Sequence, residues 1–343
     1  MENSMSRMLV EVVVRKALKS IKDDPERGIR NLVDIALQFS SEGRFQRDFF
    51  SAAQTMLQNE NSPYYGLIRD LVTHTNTDRL FTFSMNLGYN GCTEGAKRIR
   101  SNEERMNCNI PWTVSVQMNT EKNEEALEKY HSLICEGENL GIYTWMLFAL
   151  NEPQTTLVLA KAHPDSAFCI FCEADDLTTT FLDKAADLNN VMLVIRFEEN
   201  AAKLCAALRN EGLLYSVWYQ YGSKDAEAIT NGDLFYSTQQ LFPLFTVLMP
   251  DEHCPEDVRH LAYLAVKQVR KDQAYRTIAW EFQSDNDLID SIISGDTCSV
   301  YFDQNGNLRN RSKTLTSKNH NLFQRSLYDI LICSHPKEKS ESA

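Results

Sequence analysis

Trp112-Thr113-Val114-Ser115-Val116-Gln117-Met118 and Tyr143-Thr144-Trp145-Met146-Leu147-Phe148-Ala149-Leu150 decide how this chain folds. Both are short apolar runs rich in β-branched and aromatic residues. The second is almost uninterrupted, as expected of a strand covered on both faces. The pattern between them predicts a helix over about 121–139, with Gly141 just past its end. Strand-like runs return at 167–172, 191–197, 213–221 and 244–249, and helical patterns at 177–188 and 201–209 lie between them. Such alternation calls for parallel strands joined by helical crossovers. An open or closed barrel and a doubly wound sheet both satisfy it, and periodicity does not choose between them.

Outward from this centre, residues 1–80 read as helices. Val10, Val13, Val14, Leu18 and Ile21 fall on one face of a first helix. Asp24-Pro25-Glu26 offers a cap, a proline suited to the first helical position and an early acid, so a second helix starts there. Its stripe is Ile29, Leu32, Ile35, Ala36 and Phe39. A third helix is expected over 45–57, and Ser62-Pro63 opens a fourth over 64–74. Beyond Pro255 come a long helix to about Lys271, a strand-like 277–282 and a short helix over 287–293. Strand-like 299–303 and 308–311 flank Asn305-Gly306, a strong hairpin signal. A last amphipathic helix is expected over 322–332, and a polar, disordered tail over 334–343.

The chain has 343 residues, enough for one large core or a large core with a smaller helical one. A formal net charge of −12 and only short basic clusters argue against nucleic acid or an anionic membrane as partner. Met8–Val14 is broken by Glu11 and closed by Arg15 and Lys16 without a cleavage site, so it does not read as a secretory signal. No apolar run reaches the roughly 18 residues of a membrane span. Nine cysteines, an odd number at irregular spacing, read as reduced thiols of a cytosolic protein.

Leu87-Gly88-Tyr89-Asn90-Gly91-Cys92, then Ile110-Pro111-Trp112, then Leu140-Gly141-Ile142-Tyr143 leading to Asn151-Glu152-Pro153, together resemble a radical S-adenosylmethionine (radical SAM) protein. Trp280-Glu281-Phe282-Gln283 and the run from Val300 to Asn307 resemble the end of its barrel and a SPASM-like C-terminal hairpin. The resemblance covers roughly 87–332. It implies an α/β fold: a partial (β/α)6 TIM-like barrel of parallel strands at 112–282, preceded by an all-helical region (1–80) and a connecting segment (81–111). A helix, hairpin and helix (283–333) and a disordered tail (334–343) follow. The family holds a four-iron cluster on three thiolates from a C-x3-C-x2-C loop after the first strand. Here that loop is Asn119-Thr120-Glu121-Lys122-Asn123, and Cys108 and Cys135 lie outside it. At the hairpin, where relatives carry cysteine for a second cluster, stand Arg309-Asn310-Arg311. Leu150 and Asn151 put side chains where the family's glycines let the backbone approach S-adenosylmethionine, which disfavours that ligand. No iron–sulfur cluster and no other cofactor are therefore expected.

Other chemistry is sparse. Cys169 and Cys172 are three apart on a strand, so they point to opposite faces and read as buried structural thiols. His253, Cys254 and His260 read as a loop and a helix start rather than a metal site. Glu173, Asp175 and Asp176, and Glu198 with Glu199, follow strands at what would be the active end of a barrel, although acids also suit helix starts. Tyr219 and Tyr221, beside Trp218, could line a pocket but also fit a core. There is no phosphate loop, nucleophile elbow or HExxH helix. The candidate ligand-binding residues are Asn151, Glu152, Glu173, Arg196, Glu198 and Tyr221. The leading reading is a non-catalytic relative that binds or regulates a partner, either an intact radical SAM enzyme or another protein. The alternatives are a cluster-free enzyme using carboxylates or tyrosines, and a sensor of S-adenosylmethionine or another small molecule.

Overall fold

The computed structural model describes residues 2–39, 51, 53–118, 124–149, 153–309 and 314–337. Its strands are β1 (Thr113–Gln117), β2 (Thr144–Phe148), β3 (Ala167–Cys172), β4 (Val191–Arg196), β5 (Tyr215–Tyr221), β6 (Phe245–Pro250), β7 (Ile278–Glu281), β8 (Val300–Phe302), β9 (Leu308–Arg309) and β10 (Thr314–Leu315). They form a mostly parallel sheet in the order β10-β9-β8-β1-β2-β3-β4-β5-β6-β7. From β1 to β7 the spatial order follows the chain order. A doubly wound sheet needs a reversal of winding, so the order matches the partial-barrel alternative. Six parallel strands were expected between Trp112 and Met249. β7 adds a seventh, parallel to β6 with Phe245 opposite Ile278. β8, expected only as one arm of the hairpin, also pairs in parallel with β1, Val114 opposite Val300. No helix among the described residues is long and apolar enough to cross a membrane.

Contacts gather the chain into two compact units, each built from two segments: 1–85 with 171–285, and 86–170 with 286–343. In the first, the helices Glu2–Asp23, Pro25–Phe39 and Pro63–His74 follow the expected caps and stripes, whereas the helix Thr77–Ser84, which runs into the expected connecting segment, was not anticipated. Ser62 accepts the Tyr64 N–H with Pro63 opening the helix, and Asn76 accepts from Asp78 and Arg79. Most of the expected third helix, 45–57, lies outside the described residues. Helices Ala226–Thr230 and Asp233–Thr238, which lack a strong period, were not anticipated. They pack Ile229, Leu234 and Phe235 with Tyr221, Leu248, Val258 and Val266 into a core on the helix-covered side of the sheet.

One buried cation ties the N-terminal helices of this unit to its α/β part. Arg79, 3% exposed, donates from Nε to Leu188 O at 3.0 Å, from Nη2 to Ala186 O at 2.8 Å and from Nη1 to Gly212 O at 2.5 Å. These carbonyls lie at or just past the ends of helices Thr179–Ala186 and Ala201–Asn210, where partial negative charge favours a cation.

In the second unit, the π-helix Met85–Gly95 contributes its residues from Asn86 onward and runs into the helix Ala96–Met106. Gly95 and Gly141 allow two backbones to meet. A Cβ on Gly95 would lie 2.4 Å from Gly141 O, and one on Gly141, whose φ is +108°, 2.5 Å from Gly95 O. Asn86 Nδ2 donates to Pro164 O and Ser166 O, and Asn90 Nδ2 to Asp165 O at 2.8 Å. The lead-in to β1 hangs on buried acids: Glu103 accepts the Ile110 N–H and Asp290 the Trp112 N–H, both at 2.8 Å. The helix Gln154–Ala162 between β2 and β3 was not anticipated. The last helix is Leu327–Ser334 instead of 322–332, because Leu322 N–H is committed to Gly306 O of the hairpin and Ser326 caps the later start. The hairpin turn itself is as expected, with Gly306 at φ +79° and Asp303 accepting from Asn305 and Asn307 N–H. Asn310 and Arg311, and the tail beyond 337, fall outside the described residues.

Replacing Arg79 with Ala would take a donor from three carbonyls, of which Gly212 O keeps the Asn76 N–H and Leu188 O is the buried one, and a buried carbonyl left unpaired costs about 1–3 kcal/mol. Urea unfolding is expected to show a loss of about 1–3 kcal/mol for Arg79→Ala. Arg79→Lys, which cannot span all three acceptors, should lose less.

Candidate functional site

Three of the expected residues meet at the carboxyl ends of the strands in the first unit. Glu173 directly follows β3, and Arg196 ends β4. Arg196 Nη1 lies 2.7 Å from Glu173 Oε1, and each side chain is 34% exposed. Arg196 sits opposite Trp218 in the β4–β5 register, so both point to the same face, with the guanidinium 5.2 Å from the indole centroid. Trp218 is fixed in turn by donating Nε1–H to Cys172 O at 3.2 Å and by an edge contact with Phe171. Glu198 lies close enough to help raise the pKa of Asp176, although burial is the main cause, ahead of Glu173 and Asp175. The buried Asp176 Oδ2 has no hydrogen-bond partner among the described residues. The carboxylates beyond the one paired with Arg196 can hold a cationic group, and Asp176 can keep a proton above the usual carboxylate range.

Tyr221 does not join this group. It is fully buried in the helix-side core, where its hydroxyl donates to Glu281 Oε1 at 3.2 Å. Glu281 Oε2 accepts the Ser284 N–H at 2.6 Å, and Asp285 accepts the Glu281 N–H while holding Arg270 through two oxygens at 2.7 and 2.8 Å. Burial raises the pKa of Glu281 first, with Asp285 adding to the effect. This network fixes the start of the helix Phe282–Ser294. Tyr219, on the same face as Tyr221, donates to Asp225 at 2.8 Å and lines a hollow of about 180 Å³ with Phe197, Ile229 and Leu234. A smaller one, about 10 Å³, lies beside Asp70, Arg209 and Tyr215 at the amino end of β5. Neither is lined by Glu173, Arg196, Glu198 or Tyr221. Asn151 and Glu152 lie outside the described residues, as does the 119–123 loop. Cys169 and Cys172 are buried thiols, and burial pushes Cys169 up to about 12.

A group that sequence reading missed stands in the second unit. His131 and Cys135, four residues apart on the helix Glu124–Leu140, share a face with Glu138. His163, just past the helix Gln154–Ala162, reaches them with Nε2 2.9 Å from His131 Nδ1. Cys135 Sγ is 3.8 Å from His131 Nε2, and one ligand atom from each of the three residues lies within 4.8 Å of the others. His163 Nδ1 lies 3.2 Å from Glu138 Oε1, which also accepts from Ser166 Oγ at 2.7 Å. Burial, and then Glu138 and Glu136, raise the Cys135 pKa. The expectation of a chain without cofactor is therefore overturned: two imidazoles and a thiol form a donor set suited to a transition metal. The H-x3-C spacing was a signal for two of the three residues. The third lies beyond a strand and a helix, where spacing says nothing.

No family model matches the chain, and no curated protein matches it. Among solved structures, SuiB of Streptococcus suis is similar at a TM-score of 0.50 in each of three crystal structures. SuiB bound to S-adenosylmethionine is 9% identical, over 72% of this chain and 69% of that one. SuiB bound to precursor peptide SuiA is 9% identical over 72% and 70%. A third structure of SuiB is 11% identical over 89% and 82%. The shared fold is that of radical SAM proteins, as the resemblance implied.

Because burial raises the folded-state pKa of Glu281, its contribution to stability is fully present below its unfolded value of about 4.3 and is lost as pH rises through the folded value. Thermal unfolding followed from pH 4.5 to 8 is expected to show this loss, and Glu281→Gln should flatten it. An unchanged pH profile in the variant would show that Glu281 ionises without cost.

Proposed function

We propose that this chain is a non-catalytic protein of the radical SAM fold that binds a partner, and that the partner presents a basic peptide segment to the strand carboxyl ends of the first unit. The observation that carries this reading is the distribution of charge between the two ends of those strands. The segments following β3 to β6 hold Glu173, Asp175, Asp176, Glu198, Glu199, Asp225, Asp251 and Glu252, against Lys224 as their lysine. The segments preceding β4 to β7 hold Asp187 and Glu211, with Arg276. An acidic rim of this kind attracts cationic segments and sets encounter rates more than fold stability.

Glu173 and Glu198 would meet the partner's cations, with Arg196 kept in place by Glu173 and Trp218. Support for a peptide comes from SuiB, which has been crystallised bound to precursor peptide SuiA. Support for a non-catalytic role comes from the sequence, because the 119–123 loop carries none of the three cysteines on which the family's radical chemistry starts. Irregularly spaced thiols keep the cytosol as the compartment of this reading.

Fluorescence anisotropy with labelled oligolysine and oligoglutamate tests the surface. Oligolysine should bind with an affinity that falls as salt rises, and the double variant E173K/E198K should weaken it about tenfold or more. Equal binding of the two peptides, or no effect of the charge reversal, would remove the surface. Release of 5′-deoxyadenosine from S-adenosylmethionine under strong reductant would remove the non-catalytic reading.

A further inference from the structure

The group on the helix Glu124–Leu140 is independent of the partner reading and has the architecture of a metal centre. Glu138, as a carboxylate, can only accept, so the proton of a neutral His163 sits on Nδ1 and leaves the Nε2 lone pair facing His131. His131 Nδ1, 2.9 Å away, is then the donor, and its Nε2 faces the Cys135 thiol. Carboxylate, imidazole and ligand position follow one another here as they do where an outer carboxylate orients a metal-bound histidine. Ser166 Oγ holds Glu138 at 2.7 Å, and His163 itself is 3% exposed. The orienting part of the site is therefore built, with His163 and Ser166 buried and Glu138 half-buried, whereas His131 is exposed.

We propose that His131, Cys135 and His163 bind a divalent transition metal ion of the zinc class, with Glu138 as the outer carboxylate. Two imidazoles and a thiolate select zinc or cobalt over calcium and magnesium, which require oxygen. Nitrogens bound at about 2.0–2.1 Å in tetrahedral geometry stand roughly 3.3 Å apart, so the two rings need to open by only a few tenths of an ångström. Cys135 releases one proton to solvent for each ion bound, and His131 moves its ring proton from Nδ1 to Nε2. Three protein ligands leave the fourth position for water or for a group brought by a partner.

Metal-free full-length protein titrated with cobalt(II), followed by zinc(II) competition, tests the site. One equivalent of cobalt is expected to give the visible bands of a tetrahedral ion with near-ultraviolet thiolate charge transfer, and zinc should displace it. Cys135→Ser should abolish the charge-transfer band, and His131→Gln should weaken binding at least tenfold. Glu138→Gln should weaken it about 10–100-fold, as loss of an outer carboxylate does. Because His163 is buried, the half-buried Cys135 and exposed His131 carry the test, and circular dichroism checks that their variants fold. Cys333→Ser, at an exposed thiol in the same unit, should change nothing. Absence of a thiolate–cobalt band, its survival in Cys135→Ser, or its loss in Cys333→Ser would overturn the proposal.

Discussion

Parallel pairing obliges each connection to travel back along the sheet before the next strand begins, so the carboxyl ends collect at one edge and the amino ends at the other. Residues far apart in the chain then share an edge without any local pattern announcing it. In the first unit this gathers the acids after β3 to β6. In the second it brings His163, which precedes β3, beside the later turns of a helix that is returning toward the start of β2. The acidic rim and the metal-type group both follow from that return path, although they sit at opposite kinds of strand end.

The same constraint explains what could be read in advance. Strands buried on both faces announce themselves by apolar runs, so β1 to β6 were legible, and caps such as Ser62-Pro63 made the helical starts legible too. The parallel pairing of β8 with β1 was not, because pairing between strands so far apart in sequence leaves no local period. Helices such as Ala226–Thr230 span little more than one turn, too few residues to establish a stripe. Of the candidate residues, Glu173 and Glu198 follow strands and Arg196 ends one, as the strand pattern implied. Tyr221 was misleading because a strand shows a face but not which face is covered by helices.

The residues that carried the family resemblance have structural employment in this chain. Asn86, just ahead of the quoted stretch, and Asn90 within it hold the carbonyls of 164–166. The amides of Ile110 and Trp112 are taken by Glu103 and Asp290. Asp290 sits deep enough that burial raises its pKa well above the usual carboxylate range, with the two backbone donors acting against the rise. A likeness built on such positions speaks for the scaffold. It can persist whatever becomes of the chemistry, since removing any of these side chains would leave buried backbone groups unpaired.

Arg79 has a consequence for how the molecule is made. Its three acceptors lie 107, 109 and 133 residues further along the chain. A ribosome adding about 5–20 residues per second delivers the last of them several seconds after Arg79 itself has emerged. Until then the N-terminal helices, which pack on one another, carry a cation with no such carbonyls to receive it. The nascent chain thus passes through a stage in which Arg79 stays hydrated, its burial waiting on chain made seconds later.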